Sequence, residues 1–467
     1  MQPAPRGEDS PTDVQTPCNQ AAPGVRLHAM SLDLVIARRR FLLIAAAAAG
    51  TSLAMLAGCA SPSSDDALPD PGVQPVAFTR LTSDTGRTSA GDPAAARSSL
   101  TGFGADFLRA VRGADANTVI SPYSLYTVLA MARLGAKGRT ASQLDALLGS
   151  GGPDPQGAAI TAIDAGLEQA RGAARAAGST LVVQAANEAW VQDGLPVHQE
   201  YLDELARQYG VSAVTAAFGT EPEIIRADIN DWVAERTGGL IAELFGEDSI
   251  TVDTKVVLVN ALYLKAEWAL PFTRSGNGVF TTVAGTEVQV PMMQAPTQVE
   301  GTAGAGWVAV TVPYLGYGLR MTLLVPDPGR FDATLAALDD DLIAAASTSS
   351  ARYELSMPPF KIDSAPNVLE AVKSLGVVDL FVDGGADLSG IAGEPGWLFA
   401  NAFVHQAKIS VDENGTEAAA ATGLGIMASG AFAPTERVVV DRPYLFWISE
   451  TDTGAPLFLG AVTNPAA

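Results

Sequence analysis

From Leu100 onward, apolar residues recur at two periods. Leu100, Phe103, Phe107, Leu108 and Val111 fall three or four places apart and predict an amphipathic helix. Val119-Ile120 lead through Ser121-Pro122 into a second helix reaching Leu134. Ser121 is placed to cap that helix and Pro122 suits its first turn. The pattern predicts a short helix from Thr140 to Leu148 and an Ala-rich, solvated one from Gln156 to Ala177. Further helices fit Gln199 to Tyr209, Glu221 to Thr237 and Ala365 to Leu375. Alternating or continuous apolar runs predict strands from Thr180 to Gln192, Thr254 to Trp268, Trp307 to Tyr314, Leu319 to Pro326 and Tyr353 to Met357. Early elements are mainly helical and later ones mainly strands. That order predicts an α+β fold in one large domain over residues 94–467, and not a doubly wound parallel sheet. No internal repeat is visible.

One stretch follows neither period: Val411-Asp412-Glu413-Asn414-Gly415-Thr416-Glu417-Ala418-Ala419-Ala420-Ala421-Thr422-Gly423. After Glu417 the side chains are small and uncharged until Leu424, so the segment cannot anchor itself in a core. It reads as a flexible linker or an Ala-rich helix. It also reads as an extended, exposed segment that is later fitted as a strand, because Thr, Ala and Gly at alternate positions enter a packed interior without clashing. Two apolar runs follow, Val438-Val439-Val440-Asp441-Arg442-Pro443-Tyr444-Leu445-Phe446-Trp447-Ile448 and Pro456-Leu457-Phe458-Leu459-Gly460-Ala461-Val462-Thr463-Asn464-Pro465, and both predict buried strands. A loop of about 25 residues pinned by buried strands is uncommon and commonly functional.

This arrangement resembles the C-terminal part of a serpin, with its E-x-G-T-E-A-A-A-A-T hinge and its D-R-P-Y-L-F and P-L-F-L-G-x-V-x-N-P ending. The resemblance extends over the whole body. Asn117, Ser121-Pro122-x-Ser124 and Leu134-Gly135-Ala136-Lys137-Gly138-Arg139-Thr140 are similar to the family's second helix and the turn after it. Ala186-Asn187-Glu188-Ala189-Trp190-Val191, Ile229-Asn230-Asp231-Trp232-Val233, Val259-Asn260-Ala261-Leu262-Tyr263-Leu264-Lys265-Ala266-Glu267-Trp268, Pro359-Phe360-Lys361-Ile362 and His405-Gln406-Ala407-Lys408-Ile409-Ser410-Val411 also fit, in order. The resemblance implies helices packed on a large central sheet, smaller sheets and an exposed reactive loop. It implies a hinge of Glu413, Gly415, Thr416, Glu417, Ala418, Ala419, Ala420, Ala421 and Thr422, and a loop entry at Trp268. Ser121, Ser124, Asn260 and His405 would form a buried polar cluster where two strands must part. Without the resemblance, His405 and Trp268 read as ordinary core residues. In the family the cut usually lies sixteen residues after the hinge Glu, which here gives Ser429-Gly430. The spacing back from Pro443 points nearer Phe432, so the window is Met427, Ala428, Ser429, Gly430, Ala431 and Phe432.

The N-terminal stretch does not read as fold. Arg38-Arg39-Arg40-Phe41-Leu42, an apolar run from Phe41 to Ala57 and then Leu56-Ala57-Gly58-Cys59 form a charged patch, a short apolar run and a small-residue processing site. The Arg pair resembles a twin-arginine signal and Leu-Ala-Gly-Cys resembles a lipobox, with Cys59 as the lipid acceptor. A run of about 17 residues, rich in Ala, is short for a membrane span. The expectation is a signal region over 1–58, possibly starting at Met30, then lipidated Cys59 and a disordered Ser/Asp/Pro-rich tether over 59–93. The protein would be exported as a lipoprotein on the outer face of the membrane, or be extracellular. Of the two cysteines, Cys18 precedes the signal, so no disulfide is expected in the mature chain.

Charge and residue supply narrow the chemistry. A net charge of −22 excludes a nucleic-acid surface, which needs a basic patch. Of three histidines, His28 precedes the signal, so a Ser-His-Asp triad would need His198 or His405. There is no G-x-S-x-G, and no Lys has Ser three places before it. Asp339-Asp340-Asp341 reads as a solvated face, and the Gly-rich segment from Gly301 to Gly306 lacks the Lys of a phosphate loop. A solute-binding lipoprotein would show repeated βαβ patterning, which is absent. The expected function is therefore that of a suicide-substrate inhibitor of serine proteases, not an enzyme, with no cofactor or metal. Membrane attachment would run through the lipid, and a monomer is expected. The alternative is a non-inhibitory serpin acting as a binding or structural protein. With no Arg or Lys in the window, elastase-like or subtilisin-like targets are expected ahead of trypsin-like ones.

Overall fold

The computed structural model describes residues 78–466 apart from 114, 150, 401–402 and 417–435, and at 184–187 and 260 the backbone alone. The chain begins with strand β1 (Arg80–Leu81), helix α1 (Pro93–Val111), strand β2 (Thr118–Ile120) and helices α2 (Pro122–Gly135), α3 (Gly138–Leu148) and α4 (Pro153–Ala176). Next come β3 (Val182–Gln192), α5 (Gln199–Tyr209), β4 (Ala213–Ala216), α6 (Pro222–Arg236) and β5 (Val256–Glu267). A run of strands follows: β6 (Thr273–Thr281), β7 (Glu287–Gln294), β8 (Val299–Gly304), β9 (Trp307–Pro313) and β10 (Leu319–Pro326). Short helices α7 (Phe331–Ala336) and α8 (Asp340–Ala346) lead to β11 (Ala351–Met357), β12 (Phe360–Ser364) and helix α9 (Val368–Ser374). The C-terminal strands are β13 (Ala407–Val411), β14 (Gly415–Thr416), β15 (Glu436–Val439), β16 (Tyr444–Glu450) and β17 (Pro456–Val462).

Local chemistry sets many of these boundaries. Asp92 accepts from the Ala94 N–H and Ser121 from the Ser124 N–H, so each satisfies a donor that the first helical turn leaves open, and Pro follows each cap. Gly149 and Gly210 end α3 and α5 in the left-handed conformation. The expected helix from Ala365 begins later, at Val368, because Asn367 is its cap, its side chain accepting from the Glu370 N–H.

The strands form a seven-stranded sheet, ordered β1-β4-β3-β5-β14-β13-β12, and a ten-stranded one running β2-β17-β16-β10-β9-β8-β11-β7-β6 with β15 on β11. The two are called the first and second sheet below. The C-terminal strands β16 and β17 lie at the centre of the core, every residue buried. Helices α1 and α2 pack on β17, and α2 also reaches β5. A second, smaller core lies under α6, where Ile225, Ile229 and Val233 meet Trp190, Phe245 and Val259.

The α+β expectation holds. The tether expectation needs correction at its end, because β1 pairs antiparallel with β4 and extends the edge of the first sheet. Phe78 meets Trp190 edge-on at 5.0 Å, and Arg80 grips Glu188 with two hydrogen bonds of 3.0 and 3.1 Å. Thr88 and Gly91 donate their N–H groups to Arg207 O and Ala158 O. Folded structure therefore begins well before residue 94; residues 59–77, with Cys59, lie outside those described.

Candidate functional site

The first sheet has one incomplete seam. On one side of β5, β3 pairs with it from Val182↔Lys265 to Val191↔Val256. On the far side, β12 and β13 pair from Phe360↔Val411 to Ser364↔Ala407. Between β5 and β13 stands β14 alone, with Gly415↔Glu267 and Thr416↔Ala266 against β5, and Val411↔Thr416 against β13. Among the described residues no ladder joins β5 directly to β13. β14 is therefore a wedge at one end of a gap between strands.

A tight turn makes the wedge. Asp412 Oδ1 accepts from the Asn414 N–H at 2.7 Å and the Gly415 N–H at 3.3 Å, and the Asp412 N–H donates to Gly415 O at 3.0 Å. Gly415 has φ 155°, and a Cβ there would stand 2.1 Å from Ala266 O, so only glycine fits. Thr416 follows, 1% exposed, its hydroxyl sharing a 2.6 Å hydrogen bond with the Tyr314 hydroxyl. That partner is what allows a polar side chain to lie inside the sheet.

Trp268, next after β5, closes the mouth of the gap. It is buried, stacks on Tyr314 at 4.4 Å and 15°, and tilts against Phe272 at 5.7 Å. Its indole N–H donates to Asp412 O and its backbone N–H to Asn414 O, both at 2.9 Å. The Phe272 N–H donates to Glu413 O at 2.7 Å. Burial pushes the Glu413 carboxyl up, but the hydrogen bond and charge of Arg274, 2.5 Å away, outweigh it and hold the group below the usual carboxylate range.

A second buried polar group sits where β2 meets α2. The Ser121 N–H donates to His405 Nε2 at 3.1 Å, and Ser121 Oγ caps Ser124. The accepting nitrogen requires a neutral imidazole, and burial lowers the His405 pKa to about 4. Ser124 Oγ is buried with no partner among the described residues.

Residues 98–465 match the profile of the family described as Serpin (serine protease inhibitor). The chain is a serpin. Curated relatives include a serine protease inhibitor of Cyanea capillata, 33% identical over 368 residues that cover 76% of this chain and 94% of the relative. Another is the leukocyte elastase inhibitor of Bos taurus, 31% identical over 75% of this chain and 93% of its own length. The fold is similar to native tengpin, a thermophilic serpin (TM-score 0.71, 23% identity, 83% of this chain and 100% of that one). It is also similar to an Arabidopsis serpin in its native stressed conformation (TM-score 0.69, 24% identity, 81% and 100%).

Of the serpin residues expected from the sequence, Glu413, Gly415, Thr416 and Trp268 come together at the mouth of the seam, and Ser121, Ser124 and His405 meet in the buried polar group. Asn260 lies on β5 with its backbone opposite Asn187; its side chain is outside the description. Glu417, Ala418, Ala419, Ala420, Ala421 and Thr422, and the window Met427–Phe432 with Ser429-Gly430, also fall outside the described residues. Thr416 already lies inside the sheet, paired opposite Ala266. Tyr314 and Arg274, which hold Thr416 and Glu413 in place, have no signal of that role in the sequence. Tyr314 ends a predicted strand 102 residues from Thr416, and no local pattern links the two.

Proposed function

We infer that this serpin inhibits a serine protease as a suicide substrate. The observation that carries the reading is the seam: Thr416 is seated between β5 and β13, no ladder among the described residues joins those two strands, and after Glu417 the side chains are small enough to continue as a strand. In the proposed reaction the protease serine attacks a loop carbonyl, the peptide bond breaks, and the freed amine leaves with a proton supplied by the protease histidine. An ester then joins the loop to the protease. If the loop enters the seam before water hydrolyses that ester, the protease is dragged from its working geometry and deacylation stalls, since catalysis depends on close placement. Release of stored strain by loop insertion is an established switching mode of serpins. The chain in this reading is a substrate and inhibitor, not a catalyst.

The uncharged window from Met427 to Phe432 favours elastase-like or subtilisin-like targets, and a cut at Phe432 would suit a chymotrypsin-like pocket. The relative that inhibits leukocyte elastase supports the first of these. The lipobox-like Leu56-Ala57-Gly58-Cys59 supports export and a lipid anchor at Cys59. The test is incubation with an elastase and separation under denaturing conditions. A covalent complex that survives SDS is expected, with the released peptide starting inside the window. Complete loop cleavage without any complex would leave the non-inhibitory reading.

A further inference from the structure

Tyr314, between β9 and β10, stands where the two sheets meet. Its backbone forms an isolated antiparallel bridge with Trp268 at the end of β5, and its N–H donates to Leu319 O at the start of β10. Beside it, the Leu315 N–H donates to Glu267 O at 2.8 Å and the Ala269 N–H to Pro313 O at 3.0 Å. The ring is 1% exposed and stacked on Trp268, so packing fixes its direction. Its hydroxyl is carried by the second sheet yet ends in the seam of the first.

Among the described residues that hydroxyl has one hydrogen-bond partner, Thr416 Oγ1 at 2.6 Å. Both side chains are buried, so each hydroxyl would be stranded in a dry site if the other moved away. Burial holds the Tyr314 phenol above its ordinary range, so it stays protonated and neutral, although the bond to Thr416 opposes the rise. The bonds from Trp268 and Phe272 go to Asp412, Glu413 and Asn414, in the turn ahead of Thr416. Beyond its ladder partners Ala266 and Val411, Thr416 itself is held among the described residues by Tyr314.

We propose that Tyr314 is the positioning residue that starts loop insertion: its hydroxyl keeps Thr416 seated between β5 and β13, so that the new strand grows from a first rung already in place. This role rests on the suicide-substrate reading, and it is what lets insertion outrun hydrolysis of the ester. A strand that starts from an unseated hinge must first bring Thr416 to β5, at a cost in chain entropy, before any later residue gains a partner. With Thr416 seated, each further residue gains its pairing as it is fixed. Tyr314 touches neither the scissile bond nor the protease in this role. It therefore changes the outcome of acylation and leaves the rate of acylation alone.

Titration of an elastase with the whole protein tests the proposal, read as serpin consumed per protease trapped and, separately, as the rate of loop cleavage. Tyr314→Phe keeps the ring and its stacking but strands the Thr416 hydroxyl. Consumption per trapped protease should rise severalfold, within the ~5- to 100-fold by which a stranded buried hydroxyl weakens an equilibrium, at an unchanged cleavage rate. Thr416→Val strands the other hydroxyl and should do the same, even if Tyr314→Phe fails to fold. Tyr314→Phe combined with Thr416→Val leaves neither hydroxyl stranded and should return towards wild type, a coupling that two separate structural defects would not show. Unchanged or lower consumption in Tyr314→Phe, or a double variant as wasteful as the two singles combined, would overturn the proposal. Wild type that is cut without trapping any protease would instead sink the suicide-substrate reading. Tyr314 is then judged by how fast the nicked chain gains heat resistance: slower gain in Tyr314→Phe supports its role, and equal rates or no gain overturn it.

Discussion

The two flanks of β5 differ in how they are held. Towards β3 the pairing runs from Val182↔Lys265 to Val191↔Val256, and beyond β3 the edge is closed by β4 and by the N-terminal β1. Towards β13, among the described residues, there is only the wedge of Gly415 and Thr416. The closed flank is anchored by large side chains, with Val183, Trp190 and Val191 buried on β3 and Phe78 against Trp190. The open flank is held by a turn, a hydroxyl pair and one tryptophan. A strand that must enter late cannot carry the large side chains that anchor a permanent one. In the proposed insertion, this accounts for the small Ala, Thr and Gly side chains that follow Glu417.

The strongest way to break the comparison is to block the open flank. Thr416→Arg would force a long cation into a dry seam whose partner there is the neutral Tyr314 hydroxyl. The expected outcome is at least a tenfold fall in covalent complex with the target protease, while loop cleavage continues; a gel shift measures it. An undiminished complex would mean that the loop does not enter at β14.

Acid acts next, through the buried His405. Its folded pKa, about 4, lies below its ordinary value of 6.5, so the native state holds the neutral ring. Stability from this group is complete above pH 6.5 and is lost as pH falls from there towards 4, by up to about 3 kcal/mol. Urea midpoints across this range should fall more steeply for wild type than for His405→Gln, which keeps an acceptor for the Ser121 N–H. Parallel curves would remove His405 from the account.

Smaller effects separate the flanks. Glu188 is 4% exposed and depends on Arg80; burial raises its pKa and Arg80 opposes the rise. Arg80→Ala should cost about 1–3 kcal/mol in chemical denaturation, because it strands a buried carboxylate. Arg274→Ala, by contrast, removes a side chain that is 84% exposed, and should cost less than about 1 kcal/mol, an effect further reduced by salt. If the two costs were reversed, the open flank would be the better anchored one.

Sequence periodicity made some of this visible. Long helices with a clear apolar face, such as α1, and the buried runs of β16 and β17 were legible because one local pattern determines each. β6 was not, since Gly276 and Gly278 interrupt it, a bulge lies between Arg274 and Asn277, and nearly all of it is exposed. The stretch from Phe78 to Asp92 read as tether because its composition is polar. Its order comes from backbone pairing with β4 and from Arg80 on Glu188, partners that lie far along the chain. Ser121 was readable as a helix cap from its neighbours, but its link to His405 spans 284 residues. The hinge was legible as a composition. That its first residues already occupy the seam depends on Tyr314 and Trp268, which only the fold brings to it.

The central claim is that the open flank of β5 is a vacant strand position that the loop fills with a gain in stability. Melting curves of the intact protein and of protein cut once between Met427 and Phe432 test it most directly, because nicking a loop ordinarily lowers stability or leaves it unchanged. The account predicts a melting temperature for the cut protein well above that of the intact one. An equal or lower melting temperature would contradict it.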